Sequence, residues 1–425
     1  MRQVRNKVLL AAVLLSSAGF ASSGVLADDR YETLKAKIDQ LEGELAEMKE
    51  LLTPLQESAP SVERLEDLEA SLRENGRSRL PNTLVHLAGY GDAGYTKTYG
   101  DNGDERFRVG TFAPIFHFQY RDLVMLEAEL EIEVEDDGET STALEYMTID
   151  VFMNDYAALV AGKFLSPIGQ FRQNLHPSWI NKMASAPPGF GHDGAAPVSD
   201  VGVQVRGGLP PIAGIRTSYA IYASNGPTLN FEDGELEGVD AEGFNEDGDG
   251  NAVFGGRISI IPIANLEIGL SRALGEATVN NDDGEPIDIS GEGARDYDVY
   301  GADFSYQLSS LGISAIGSFD LRGEYVKTKV GATDVGEGAS KGADWSTWYT
   351  QLSYRFPLSQ FESVMRYSDF DSAIDRADQR QWALGINYVF TPNFIGKINY
   401  EFNDGVEKNV AADTDRLLFQ LAYGF

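Results

Sequence analysis

The chain contains no cysteine, which excludes a fold stapled by disulfides. Beyond its first 27 residues it holds no run of roughly 20 apolar residues, so nothing in it reads as a membrane-spanning helix. Basic residues are scarce. Against 66 Asp and Glu stand 34 Lys and Arg, a formal net charge of −32. Such a chain repels phosphate backbones, and nucleic acid is not expected as a partner. Histidine occurs four times, at His86, His117, His176 and His192, which leaves little room for a metal cluster. There is no Gly-x-Ser-x-Gly elbow, no His-Glu-x-x-His pair and no phosphate-binding glycine loop. No enzyme activity and no cofactor are expected.

What is present starts with a cationic stretch, Arg2, Arg5 and Lys7, followed by an apolar run from Val8 and a small-residue cleavage site at Val25-Leu26-Ala27. Residues 1–27 read as a secretory signal. Its loss would remove three positive charges and no acid, taking the net charge from −32 to −35. Residues 28–80 follow another rule. Leu34, Ile38, Leu41, Leu45, Met48, Leu52 and Leu55 alternate spacings of four and three, a heptad seam with Lys and Glu on its flanks. Pro54 and Pro60 interrupt it, and a second helical piece, Val62 to Leu72, is out of phase. The segment is expected to be a self-associating coiled-coil arm and linker; the plainer reading is one amphipathic helix lying on its own domain.

From Leu84 the helical period gives way to alternation. In "LEAELEIEVE" Glu127, Glu129, Glu131, Glu133 and Glu135 alternate with Ala128, Leu130, Ile132 and Val134. A helix would scatter these glutamates around its cylinder; a strand gathers them on one face. "SFDLRGEYV" sets Asp320, Arg322 and Glu324 opposite Phe319, Leu321 and Tyr325. Such segments recur near 84–97, 105–119, 122–134, 141–153, 156–164, 199–208, 213–224, 251–261, 265–274, 295–308, 315–330, 345–356, 360–369, 380–391, 394–403 and 414–425. Connections after the even-numbered ones are short, and those after the odd-numbered ones are mostly long and polar. A soluble sandwich has no reason to sort its loops by parity. A membrane barrel does, with turns on the periplasmic side and loops outside. Residues 81–425 are therefore expected to form an all-β, 16-stranded antiparallel transmembrane β-barrel with an aqueous lumen. Aromatics near strand ends and the terminal Phe425 agree with this.

The connection 165–198 is the longest, rich in Pro and Gly yet carrying Phe171, Leu175, Trp179, Ile180, Met183 and Phe190. Solvated loops do not need so many apolar groups, so it is expected to fold inward as a constriction. Its bases Arg172 and Lys182, with His176 and His192 and the flanking Lys163 and Arg206, would face the glutamates across a narrow path and set up a transverse field. The plainer reading is that they neutralise lumenal carboxylates and hold the loop down; the two are compatible. The candidate pore-lining set is Lys163, Arg172, His176, Lys182, His192, Arg206, Glu127, Glu129, Glu131, Glu133, Asp320, Arg322 and Glu324.

"GKFLSPIGQF" (Gly162, Lys163, Phe164, Pro167, Gly169) and "PVSDVGVQVRGG" (Pro197, Val201, Gly202, Val203, Gln204, Gly207) resemble the matching region of the phosphate-selective porins O and P, and the arm before the barrel resembles that of DcaP-type porins. The resemblance implies an outer-membrane homotrimer with the third long loop folded into each barrel, and anion selection by rows of Arg and Lys. This chain offers Glu127 to Glu135 where such rows are expected. The expected function is passive diffusion of small hydrophilic, charged solutes across the outer membrane of a Gram-negative bacterium, with the arm in the periplasm and membrane lipid and lipopolysaccharide as neighbours. Three alternatives stand beside it: a selective anion channel, a barrel-rim hydrolase built on His192 and Asp193, and a non-conducting adhesin. Asn245, Asp247 and Asp249 partly imitate a calcium loop, but Gly256 replaces the closing glutamate and no helix flanks it.

Overall fold

The computed structural model describes residues 82–100, 103–191, 195–232, 235–245, 247, 250–279, 294–308, 317–332, 342–373, 378–405 and 414–425. The signal and arm, residues 1–80, lie outside these, as do His192, Asp193 and Asp249.

Among the described residues eighteen strands are found in chain order: β1 Thr83–Thr98, β2 Glu105–Tyr120, β3 Val124–Val134, β4 Thr140–Asn154, β5 Ala157–Leu165, β6 Ser199–Ile212, β7 Ile215–Ser224, β8 Thr228–Glu232, β9 Glu235–Asp240, β10 Val253–Ile263, β11 Leu266–Val279, β12 Arg295–Gln307, β13 Ser318–Val330, β14 Ala343–Arg355, β15 Phe361–Asp371, β16 Gln379–Thr391, β17 Phe394–Gly405 and β18 Arg416–Gly424. Sixteen of them, all but β8 and β9, make one antiparallel sheet in which β7 pairs directly with β10. The sheet closes on itself through β1 and β18, in register from Tyr90 opposite Gly424 to Thr98 opposite Arg416. Closure leaves none of these sixteen strands with a free edge. The sixteen strands coincide with the alternating segments of the sequence.

Alternation fixes which face is which. On β16, Gln381 and Asn387 are 1% and 0% exposed, whereas Leu384 and Ile386 between them are 45% and 49% exposed. Polar groups face in and apolar groups face out, the reverse of a soluble protein. On β3 the glutamates turn inward and Val134 lies on the exposed outer face.

Loops sort by end. At the short-turn end, Arg121, Ala213, Asn265 and Leu358 take positive φ of 51°, 52°, 65° and 53°. Tight hairpins need this left-handed backbone, because its twist matches that of the strands. Leu358 gains nothing from its side chain there, being fully exposed. Leu358→Gly is expected to stabilise the barrel by about 1 kcal/mol, the left-handed cost of an L-residue, seen as a higher temperature for the loss of the compact gel form.

The hairpin β8–β9 lies in a segment whose many acidic residues would suit a solvated loop, yet part of it is buried. Leu229, Leu236, Val239 and Ala241 are buried. Acidic residues between them mask this apolar set. The hairpin joins residues of the long connection 166–198 and of the wall in one hydrophobic cluster, which includes Phe171, Phe190, Tyr222, Tyr297, Trp345 and Tyr349. Its centre is an aromatic triangle: Phe171 to Phe190 5.6 Å, Phe190 to Tyr349 5.2 Å, and Phe171 to Tyr349 6.3 Å between ring centroids. The loop folds into the barrel because this core receives its apolar residues.

Candidate functional site

The inward loop is held first at its entry. The backbone N–H groups of Gln170 and Phe171 donate to Glu324 Oε2 on β13, at 3.1 and 2.9 Å. These open a single π-helical turn, Phe171–Leu175. Gly169 just before it has φ +76°, and a Cβ there would stand 1.6 Å from Glu324 Oε1. Gly169→Ala is therefore expected to add about 1–2 kcal/mol of backbone strain and to displace the carboxyl from both N–H groups, about 1 kcal/mol each. The check is channel noise in a bilayer, which should rise as the loop loses its anchor.

Further along, buried cations grip the loop's carbonyls. Lys397 Nζ on β17 donates to the carbonyls of Ser178 (2.5 Å) and Met183 (3.0 Å) and to Gln420 Oε1 (2.7 Å). Arg366 on β15 donates to the carbonyls of Ser185 (2.9 Å) and Ala186 (3.2 Å), and to Gln381 Oε1 (2.9 Å). The Ser185 hydroxyl donates to Glu401. Asn399 Oδ1 accepts from Ala184 N–H at 2.6 Å, and Asn387 donates to the Lys182 carbonyl at 2.9 Å. Thr347 and Thr328 donate to the carbonyls of Pro188 and Ala195. The loop thus lines the wall from β13 to β17 and leaves β1 to β4 facing it.

That facing wall carries the acid row. Tyr90 O–H donates to Glu129 Oε1 at 2.9 Å, and Tyr146 O–H to Glu127 Oε1 at 2.8 Å. The Thr111 hydroxyl reaches Glu133 at 2.8 Å and Glu131 at 3.2 Å. From the loop, His176 Nε2 comes within 3.7 Å of Glu129, while its Nδ1 meets the Arg172 carbonyl. His176 lines two cavities. One, of 210 Å³, lies toward the long-loop end among Asp92, Arg108, Glu131, Glu145 and Arg172. The other, of 270 Å³, lies toward the short-turn end among Glu127, Glu129, Tyr146 and Arg206. His176, beside Glu129, lies on the boundary the two cavities share. Burial pushes the Arg172 guanidinium down, opposed by Glu145, Glu131 and Glu242.

Three more bases of the candidate set are engaged. Lys182 lies 3.2 Å from Glu362, Arg206 2.6 Å from Asp150 and Arg322 2.6 Å from Asp320. Lys163 departs from the expectation: it stands opposite Met147 and Val201, on the outward face with Leu159. Its neighbour Phe164 takes the inward position, and alternation then excludes Lys163 from the lumen. Asn245 and Asp247 lie in the described part of their loop, where Asp247 Oδ1 accepts from Gly250 N–H at 2.8 Å.

Sequence reasoning missed Tyr90, Asp92, Arg108 and Glu145, and the grips of Arg366 and Lys397. Glu145 and Tyr146 are adjacent yet both reach the lumen, because the β3–β4 register shifts between Glu129 and Leu130. A bulge of this kind breaks alternation without a sequence signal. Lys397 is readable as an inward position, but a carbonyl partner more than 200 residues away is not.

No family model matches the chain, and no curated protein matches its sequence. Solved structures do match its fold. An anion-selective porin from Comamonas acidovorans is 16% identical with a TM-score of 0.52, covering 81% of this chain and 100% of that one. Salmonella typhi OmpF in complex with daunomycin is 14% identical with a TM-score of 0.54, covering 81% and 98%. The outer membrane channel DcaP of Acinetobacter baumannii is 11% identical with a TM-score of 0.49, covering 81% and 98%.

Proposed function

We propose that the chain is an outer-membrane porin that lets small hydrophilic, charged solutes diffuse passively, with a preference for cations. The carrying observation is the inversion of polarity around a closed barrel, apolar outside and charged inside, with a loop that narrows the bore without removing its charged groups. An apolar exterior of this extent suits acyl chains. The shared fold with a solved anion-selective porin supports the class. The short-turn end then faces the periplasm with the coiled-coil arm, and the long loops, with lipopolysaccharide beside them, face outward in a Gram-negative envelope. A homotrimer accords with the heptad seam.

Cation preference follows from where the charges are spent. Lys182, Arg206 and Arg322 are in ion pairs, and Arg366 and Lys397 are turned to carbonyls and amide oxygens. Glu127, Glu129 and Glu133 are held by hydroxyls and imidazoles instead, so their negative field remains in the path. The anion reading rests on Arg108 and Arg172, which line the 210 Å³ cavity.

In a planar bilayer the purified chain should give stepwise conductance and, under a salt gradient, a reversal potential of the cation-selective sign. The opposite sign supports the anion reading. Absence of steps supports an adhesin, and hydrolysis lost in His192→Ala supports the rim enzyme. Trimerisation is checked by unheated gel migration with and without residues 28–80; an intact trimer after deletion would mean that the barrels associate without the arm.

A further inference from the structure

Two histidines of the barrel wall, His86 and His117, face one another. His86 on β1 stands directly opposite His117 on β2, and His117 stands opposite Glu127 on β3. All three belong to the inward series, since His86 has the parity of Tyr90 and Glu127 that of Glu129. They lie a few residues from the short turn between β2 and β3.

The two Nδ1 atoms are 3.4 Å apart, with ring centroids 5.4 Å apart and planes inclined by 38°. Two imidazole nitrogens bound to one tetrahedral ion at about 2.0–2.1 Å would stand roughly 3.3–3.4 Å apart. The rings already have the separation that a shared ion imposes. On the far side of the His117 ring, Nε2 lies 3.6 Å from Glu127 Oε1. A carboxylate at that position is the usual outer partner of a metal-bound histidine: it orients the ring and makes the coordinating nitrogen more basic. Tyr146 in turn fixes Glu127 through a 2.8 Å hydrogen bond.

We propose that His86 and His117 form a transition-metal site at the short-turn mouth of the lumen, binding Cu²⁺, Ni²⁺ or Zn²⁺ through Nδ1 of each ring. Among the described residues no group of three or more His, Cys, Asp or Glu is placed to hold a metal ion, so water completes the coordination. Two nitrogens and water make an exchanging site. Cu²⁺ binds most tightly, following the intrinsic order of divalent ions. The surrounding acidity draws divalent cations toward it. The site is independent of the porin reading, because binding is measured without conductance.

The test uses the full, untagged chain, stripped of metal and folded in detergent. Cu²⁺ added to one equivalent should give an electron paramagnetic resonance spectrum with coupling to two nitrogens, and Zn²⁺ should compete for it in equilibrium dialysis. His86→Ala and His117→Ala should each weaken Cu²⁺ binding at least about tenfold and leave a single coupled nitrogen. Glu127→Gln should weaken it by about tenfold, as loss of an outer carboxylate does. His176→Ala should leave both readouts in place. Heat-dependent gel migration verifies that each variant is folded. Equal binding by the parent chain and the His86→Ala/His117→Ala double variant would overturn the proposal. So would a spectrum coupled to one nitrogen in the parent chain, which would leave the pair as two imidazoles in simple contact.

Discussion

Arg366→Met combined with Lys397→Met is expected to raise the single-channel conductance at least about twofold, as the constriction leaves its seat. Both cations are almost wholly buried, and between them they satisfy the carbonyls of Ser178, Met183, Ser185 and Ala186. Methionine keeps much of the volume and removes every donor. A buried carbonyl left without a partner costs about 1–3 kcal/mol, so four of them would cost several kcal/mol if the loop stayed in place. That is comparable with the whole stability of a typical domain, and the loop should exchange the wall for water. The barrel strands do not depend on these side chains, so heat-dependent gel migration should persist. Unchanged conductance would mean that the aromatic cluster around Phe171, Phe190 and Tyr349 suffices to hold the loop.

The second large effect is electrical. Glu127→Gln, Glu129→Gln and Glu133→Gln together are expected to lower the cation-to-anion permeability ratio by about tenfold or more. A unit charge 4 Å from a carboxylate gains about 1 kcal/mol in bulk water and about 4 kcal/mol at an effective dielectric constant of 20, while 1.4 kcal/mol is already tenfold. Glutamine preserves shape and can still accept the hydroxyls of Tyr90, Tyr146 and Thr111. Glu129 is 1% exposed, so neutralising it relieves a desolvation cost rather than adding one. The loss should therefore register in reversal potential and not in folding. An unchanged reversal potential would place the permeant path away from β3.

The barrel was legible in the residues because its two solvents demand opposite faces at every second position. Leu384 beside Gly385, or Val134 beside Glu133, can be assigned from identity alone once the period is two. Connection lengths carried the rest, since only one barrel end needs tight turns. Loop 165–198 was legible as too apolar for solvent, and Phe171, Leu175, Met183 and Phe190 are buried. Its path was not legible, because it depends on contacts such as Gly169 against Glu324 that lie far apart in the chain. Neither was the β8–β9 hairpin, whose buried leucines are interleaved with acids. The outward turn of Lys163 was hidden by the attraction of a lysine near an acidic strand; strand parity, not charge, decides where it points.

The seam between β1 and β18 has a consequence for assembly. Tyr90 to Thr98 can acquire their second set of backbone partners only from Arg416 to Gly424, and Gly89 and Phe425 exchange a reciprocal pair of N–H···O bonds at 3.0 and 2.9 Å beside them. The other ladders of the wall join strands that follow one another in the chain, apart from β7 with β10, which spans the β8–β9 hairpin. The β1–β18 seam spans more than 300 residues, so its closure entropy is met only after the rest of the cylinder has formed. Insertion into a bilayer is thereby coupled to the arrival of the final strand: until it docks, two unpaired edges would face hydrocarbon, where each orphaned amide costs several kcal/mol.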